Sequence, residues 1–349
     1  MDKSDKIIVG ISIGDLNGIG IEVILKTFED KRMLEFCTPV LFGSTKVISY
    51  HKKALNIDTP IHGITSINQV AHNKINLLNI WKEEVAVELG KATKISGEYA
   101  AKSLAFAVKS LKEKTIDVLL TAPINKENIQ SEDFNFPGHT EYLEANLEGK
   151  SLMILMTDKL RIGLITGHIP ISKVAKTITP ELIKEKVATM HASLKMDFGI
   201  TKPKIAVLAL NPHCGDKGVI GKEDDDIIRP TVEEIKETGK LVFGPYAADG
   251  FFGSETYKQF DGVLATYHDQ GLAPFKALSF GDGVNFTAGL SEIRTSPDHG
   301  TGYDITGKGL ANSSSFKEAL FTAIQIFKTR TEYKELTKNP LSVRKISIK

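Results

Sequence analysis

Lys6-Ile7-Ile8-Val9-Gly10-Ile11-Ser12-Ile13 runs directly into Gly14-Asp15-Leu16-Asn17-Gly18-Ile19-Gly20, and the chain from Ile19 to Phe28 continues with helical spacing. An apolar β-branched run, a glycine-rich loop and a helix, in that order, make the first unit of an α/β fold. The loop follows the carboxyl end of the strand, where α/β sheets usually bind ligands. Its glycines are not spaced Gly-x-Gly-x-x-Gly and no P-loop lysine follows, so on this segment neither a Rossmann dinucleotide site nor a P-loop is expected. A structural turn explains the loop equally well.

The rhythm continues outward from this unit. A helix is expected from Gly97 to Lys114, with Ala100, Leu104, Val108 and Leu111 on one face, feeding a short strand Val118 to Leu120 that ends at Thr121-Ala122-Pro123. Strands follow at Leu152 to Met156 and Arg161 to Ile165. The helix from Thr179 to Phe198 carries its own punctuation: Thr179 as N-cap, Pro180 as first residue, Gly199 as stop. Its buried face should be Ile183, Val187, Met190 and Leu194. Lys204 to Leu210 and Gly262 to Tyr267 read as strands, the first apolar throughout as if buried on both faces. A helix is expected over Glu223 to Thr238, with the acidic run Glu223 to Asp226 favouring its positive end. Glycine is dense from Gly271 to Gly309, which reads as functional loop, and a last helix runs from Ser315 to Thr329. The pattern is that of a largely parallel sheet.

Composition bounds the function. The 349 residues are 41% hydrophobic, enough for a large core, and 44 Lys and Arg against 43 Asp and Glu leave a net charge of +1. No basic stripe points to nucleic acid, and no apolar run approaches the roughly 20 residues of a membrane helix. Cys37 and Cys214 cannot build a disulfide framework, and Met1-Asp2-Lys3-Ser4-Asp5 has no signal-peptide character, so a cytoplasmic setting is expected.

His168, His213 and His268 each stand just past the end of an expected strand: Thr166-Gly167-His168, Asn211-Pro212-His213 and Tyr267-His268-Asp269. Loops at the carboxyl ends of parallel strands converge, and imidazoles from such loops suit a divalent metal with an open position; Asp249 or Asp269 could complete or orient the set. The plainer alternative is loop histidines bonded to backbone. His51, His62, His72 and His191 lack this context and read as surface or satisfied core residues. Lys276, Asn285 and Arg294 gather in the glycine-rich stretch, where a phosphate or carboxylate could be gripped, or where ordinary surface cations could sit. His139 and Thr140, after Phe136-Pro137-Gly138, are equally open between ligand loop and plain turn.

Taken together these segments resemble the 4-hydroxythreonine-4-phosphate dehydrogenases, the PdxA family. The resemblance runs nearly end to end: Gly14-Asp15 with Gly18-Ile19-Gly20, Thr121-Ala122-Pro123-Ile124-Asn125-Lys126, Pro137-Gly138-His139-Thr140-Glu141, Thr166-Gly167-His168, Leu210-Asn211-Pro212-His213, Gly244-Pro245 with Asp249, Tyr267-His268-Asp269-Gln270-Gly271, and Ser296-Pro297-Asp298-His299-Gly300-Thr301. Ile21 and Gly302 depart from the proline and alanine usual in the family.

The resemblance implies a two-lobed isocitrate/isopropylmalate dehydrogenase-like α/β fold, not Rossmann, with residues 1–125 plus about 290–349 in one lobe and 126–289 in the other. It implies His168, His213 and His268 as ligands of zinc, magnesium or cobalt in a site shared across a homodimer. Substrate contacts would fall to His139, Thr140, Lys276, Asn285 and Arg294. NAD or NADP would take Asp298, His299, Gly300, Thr301 and Asn312. The general base is open among Asp249, Asp269 and Lys276. The implied reaction oxidises 4-phosphohydroxy-L-threonine in pyridoxal phosphate (vitamin B6) biosynthesis. D-threonate or D-erythronate 4-phosphate is the alternative substrate, and a metal-dependent hydrolase or aldolase the more distant alternative.

Overall fold

The run that opens the chain forms β1 (Ile8–Ser12), with all but its first residue buried. The computed structural model describes residues 6–132, 134–279 and 281–340. β1 lies inside one 12-stranded sheet with β2 (Thr38–Gly43), β3 (Ile61–Ile64), β4 (Ile75–Asn79), β5 (Val118–Thr121), β6 (Gly149–Thr157), β7 (Leu160–Leu164), β8 (Lys204–Leu208), β9 (Leu241–Tyr246), β10 (Gly262–Ala265), β11 (Val284–Leu290) and β12 (Arg294–Pro297). The order across it is β3-β4-β2-β1-β5-β12-β11-β6-β7-β10-β8-β9. The fold is thus α/β with a large, mostly parallel sheet.

The pairing is parallel from β3 to β12 and from β7 to β9, while β12/β11, β11/β6 and β6/β7 are antiparallel. The two parallel halves therefore run in opposite directions. The proposed division into lobes would cut this sheet between β12 and β11.

The expected helices are present with their punctuation. Helix Gly20–Phe28 is almost wholly buried, and Lys94–Lys112 buries Ala100, Leu104, Val108 and Leu111. Helix Pro180–Met196 is capped by Thr179, whose hydroxyl accepts from Leu182 N, and it buries Ile183, Val187, Met190 and Leu194. The last helix extends well beyond its expected end, over Ser314–Thr337. Among the described residues, no helix is long and apolar enough to cross a membrane.

Two expectations are corrected. The glycine-dense stretch from Gly271 is not loop throughout; it holds helix His268–Ser279 and strands β11 and β12. Gly271 is there for close packing, since a Cβ would lie 2.8 Å from Ile162 and 2.9 Å from Ala265 on the sheet beneath. The acidic run does more than cap a helix. Asp224 opens a π-helical turn, Asp224–Ile228, and its buried carboxylate accepts from Leu210 N at 2.7 Å and Asn211 N at 3.0 Å, tying down the chain that leads to His213.

His51 is a satisfied core residue, its Nε2 donating to the Leu16 carbonyl at 2.8 Å. Burial pushes its pKa down from 6.5 to about 4. Because the folded value is the lower one, unfolding takes up a proton as the pH drops below 6.5, and stability is lost progressively down to about pH 4. The urea midpoint is expected to fall across this window more steeply in the parent than in His51→Gln, whose amide donates the same hydrogen bond without titrating. Parallel pH profiles would remove His51 from the acid response.

Candidate active site

Register sets the floor of the site. Asn285 stands opposite both Ser296 and Leu155, and Thr287 opposite Met153. Arg294 lies two residues before Ser296 on the same strand, so these side chains rise from one face of the central strands. Above them is a cavity of about 300 Å³. Its walls come from Lys126, from the first turn of helix His139–Asn146, from His168 and His268, and from Lys276 and Asp298–Gly300.

Arg294 is buried at 2% exposure. Its guanidinium donates to Thr121 Oγ1 from Nε at 3.0 Å and from one Nη at 2.6 Å, and to Thr287 Oγ1 from the other at 3.2 Å. Among the described residues it forms no ion pair with a carboxylate. Burial lowers its pKa to about 9, with Glu141 opposing at longer range, so the group is cationic at neutral pH. Burial, helped by Arg294 and Lys126, pushes His139 well below its ordinary pKa, and its Nε2 is buried without a partner. Asn285 Oδ1, Glu141 Oε2 and His299 Nε2 are likewise buried and unpartnered. Such groups cost free energy unless something polar meets them, and all four residues line the same cavity.

The His168 and His268 rings lie 5.4 Å apart between centroids. His168 Nδ1 donates to Glu141 Oε1 at 3.2 Å, and His268 Nδ1 to Asp269 Oδ1 at 2.6 Å. Each carboxylate fixes the tautomer that leaves Nε2 as the ligating atom, the arrangement that metal-binding imidazoles adopt. Lys126 Nζ lies 3.3 Å from His168 Nε2. Burial works against the charged form of Glu141, but His168, its own backbone N–H and Lys126 outweigh it and hold the carboxyl below its usual range.

The expected residues are not all brought together. His139, Thr140, Lys276, Asn285, Arg294, Asp298, His299 and Gly300 line the cavity with His168 and His268. His213 does not: it is exposed in a turn past β8 with left-handed backbone, φ 53°. Among the described residues, no group of at least three His, Cys, Asp or Glu side chains is arranged to hold a metal. Of the candidate bases, only Lys276 faces the cavity, its Nζ 2.9 Å from Asp298 Oδ1. Asp269 is exposed next to His268 in the chain, and Asp249 is exposed on helix Ala248–Gly253, which follows β9, the strand that contacts the His213 turn. Thr301 gives its carbonyl to Ile19 N at 2.9 Å instead of facing the cavity. Asn312 is exposed, its Oδ1 accepting from Ser314 N to start the last helix.

Thr121, Lys126 and Glu141 are the site residues that sequence reasoning gave no role. The available signal was their place in Thr121-Ala122-Pro123-Ile124-Asn125-Lys126 and Pro137-Gly138-His139-Thr140-Glu141, polar residues in short loops next to strand ends.

Fold and cavity together give an α/β protein with a polar cavity over its central strands, floored by a buried arginine. Residues 35–323 match the family model described as "Pyridoxal phosphate biosynthetic protein PdxA". Over 341 residues, 97% of this chain and 94% of the relative, the chain is 52% identical to the 4-hydroxythreonine-4-phosphate dehydrogenase of Bacteroides thetaiotaomicron. It is 35% identical to the D-threonate 4-phosphate dehydrogenase of Cupriavidus necator over 318 residues, covering 90% of this chain and 95% of that one. The crystal structure of 4-hydroxythreonine-4-phosphate dehydrogenase from Klebsiella pneumoniae superposes with a TM-score of 0.79 at 30% identity, over 93% of this chain and 100% of that one. The chain belongs to the PdxA family and is a dehydrogenase, which implies a nicotinamide cofactor.

Proposed function

We propose that the protein catalyses NAD(P)-dependent oxidation of 4-phosphohydroxy-L-threonine to 2-amino-3-oxo-4-(phosphooxy)butanoate, followed by loss of carbon dioxide to give 3-amino-2-oxopropyl phosphate, in pyridoxal phosphate biosynthesis in the cytoplasm. The observation that carries this reading is Arg294: a buried cation, without an ion-pair partner among the described residues, forms the floor of a cavity rimmed by Lys126 and Lys276. An anionic substrate supplies the missing counter-charge.

Arg294 and Asn285, both on strands, hold the phosphate and set the reacting carbon in place. His139, kept neutral, offers Nε2 as acceptor to a substrate hydroxyl or ammonium. His168 and His268 fit a divalent metal, with His213 from a second copy of the chain as third ligand; when bound, the ion lowers the pKa of the substrate hydroxyl and steadies negative charge after decarboxylation. Lys276, held as an ammonium by its ion pair with Asp298, would bind the anionic end of the substrate, and a bound nicotinamide would accept the C3 hydride. Asp249, on the helix that follows β9, would serve the second copy's cavity in the same dimer. Asp298, His299 and Gly300 meet the dinucleotide: His299 Nε2 is buried and unpartnered, and no atom lies within 4 Å of where a Gly300 Cβ would stand.

The test is to strip the protein with a chelator, restore zinc, magnesium or cobalt, and follow NADH or NADPH with 4-phosphohydroxy-L-threonine beside D-threonate 4-phosphate and D-erythronate 4-phosphate. Metal-dependent turnover of the first substrate is expected. The Cupriavidus relative makes D-threonate 4-phosphate the second reading, and preference for it would move the enzyme to sugar-acid catabolism. Full turnover after metal removal would dismiss the histidine site.

A further inference from the structure

The glycine-rich loop of the first unit receives another part of the chain. Ile19 N donates to Thr301 O at 2.9 Å, and a Cβ on Gly18 would lie 2.8 Å from the same carbonyl. Beneath this contact Asp15 is fully buried. Its Oδ2 accepts from Tyr303 Oη at 3.0 Å, Ser96 Oγ at 3.0 Å and Asn128 Nδ2 at 2.8 Å, and its Oδ1 from Asn17 N at 2.9 Å. Burial and the Asp15 charge both raise the Tyr303 pKa, so its hydroxyl remains the donor.

A neighbouring turn is recruited too. Gly90 N donates to Asn17 O at 2.9 Å, and a Cβ on Gly90 would stand 2.8 Å from Tyr303 O. Further along, Glu22 Oε1 accepts from Ala311 N at 2.9 Å, and Lys26 Nζ donates to the carbonyls of Gly309 and Ala311. Residues 299–311 form no strand or helix. They are nevertheless held near both ends by the first strand-loop-helix unit, with His299 and Gly300 left facing the cavity.

We infer that Asp15 is a positioning residue for dinucleotide binding: through Tyr303 its carboxylate sets the loop that carries His299 and Gly300 before the cofactor arrives. This rests on assigning the dinucleotide to that loop. A loop ordered in advance spares the ligand the conformational cost of ordering it. Substrate binding is independent of this anchor, because Arg294 and Asn285 are on strands.

The test is Tyr303→Phe, which deletes one hydroxyl and no packing volume. NADH and NADPH affinity is read directly by fluorescence titration, substrate affinity by calorimetry, and amide exchange by mass spectrometry on the unliganded protein. Dinucleotide affinity should fall about tenfold, as for loss of a hydrogen bond to a charged acceptor, with substrate affinity unchanged. Exchange should quicken over 300–306 and stay as in the parent over β1. Tyr99→Phe, which loses a hydrogen bond to exposed Glu83, should change none of these readouts. A parent that binds neither dinucleotide overturns the dehydrogenase reading itself. A parent that binds, beside a Tyr303→Phe variant that binds as well, overturns the inference alone, as does an equal loss of dinucleotide and substrate.

Discussion

Arg294→Ala is expected to raise KM for the phosphorylated substrate about 100-fold while leaving the fold as stable as before or more so. The two effects diverge because of what surrounds the guanidinium. It is buried with two threonine hydroxyls for company and no carboxylate in ion-pair contact among the described residues, so the folded apo protein bears its desolvation without a compensating charge. Removing it relieves that cost, offset in part by the volume lost. Substrate phosphate or carboxylate is then left without a forked donor that the strands hold rigid. Arg294→Lys keeps a charge but not the fork, and should fall between the two. A simple independent readout is thermal unfolding with inorganic phosphate: the parent midpoint should rise with phosphate, and that of Arg294→Ala should not. An unchanged KM together with undiminished phosphate protection would take Arg294 out of the site.

The first strand-loop-helix unit, the capped helix before Gly199 and the apolar strand from Lys204 were all legible because local rules decide them: period, cap and stop residue agree. The failure around Gly271 has an equally local cause. Glycine is read as loop because it is flexible, yet Gly271 is a spacer that lets helix His268–Ser279 lie close on the sheet, and only tertiary contact reveals this. The reversal of direction across β11 and β6 was also invisible, since pairing between distant strands leaves no mark on either one.

The site divides along the same line. Residues placed by a strand end, such as His168 and His268, could be found from their setting alone. Arg294 was legible as an anion ligand beside the plainer surface-cation alternative, but its burial without a counter-ion is a property of packing. Glu141 and Lys126 gave no signal outside a motif because each acts by what it touches: one imidazole nitrogen for Glu141, the other for Lys126. Asp224 was misread for a related reason. A run of acids at a helix start suggests capping, whereas this carboxylate reaches backward to the His213 turn.

His213 bears the second large effect, because it separates a site completed within one chain from a site shared between two. His213→Asn should lose bound metal and lower turnover by a factor of about 1,000 while remaining folded: the residue is exposed, and asparagine tolerates the left-handed backbone at this position. His168→Ala should be equally inactive. If His213 completes the cavity of a second copy, a hybrid dimer of the two variants contains one cavity lacking both histidines and one lacking neither. Random exchange of subunits makes half of all dimers hybrid, so the mixture should recover about a quarter of parental turnover and a matching share of bound metal. Recovery should require time for exchange and vanish when each variant is first crosslinked to itself. A mixture that stays inactive after demonstrated exchange would mean that the three histidines do not meet across a dimer, and the turn past β8 would need another purpose.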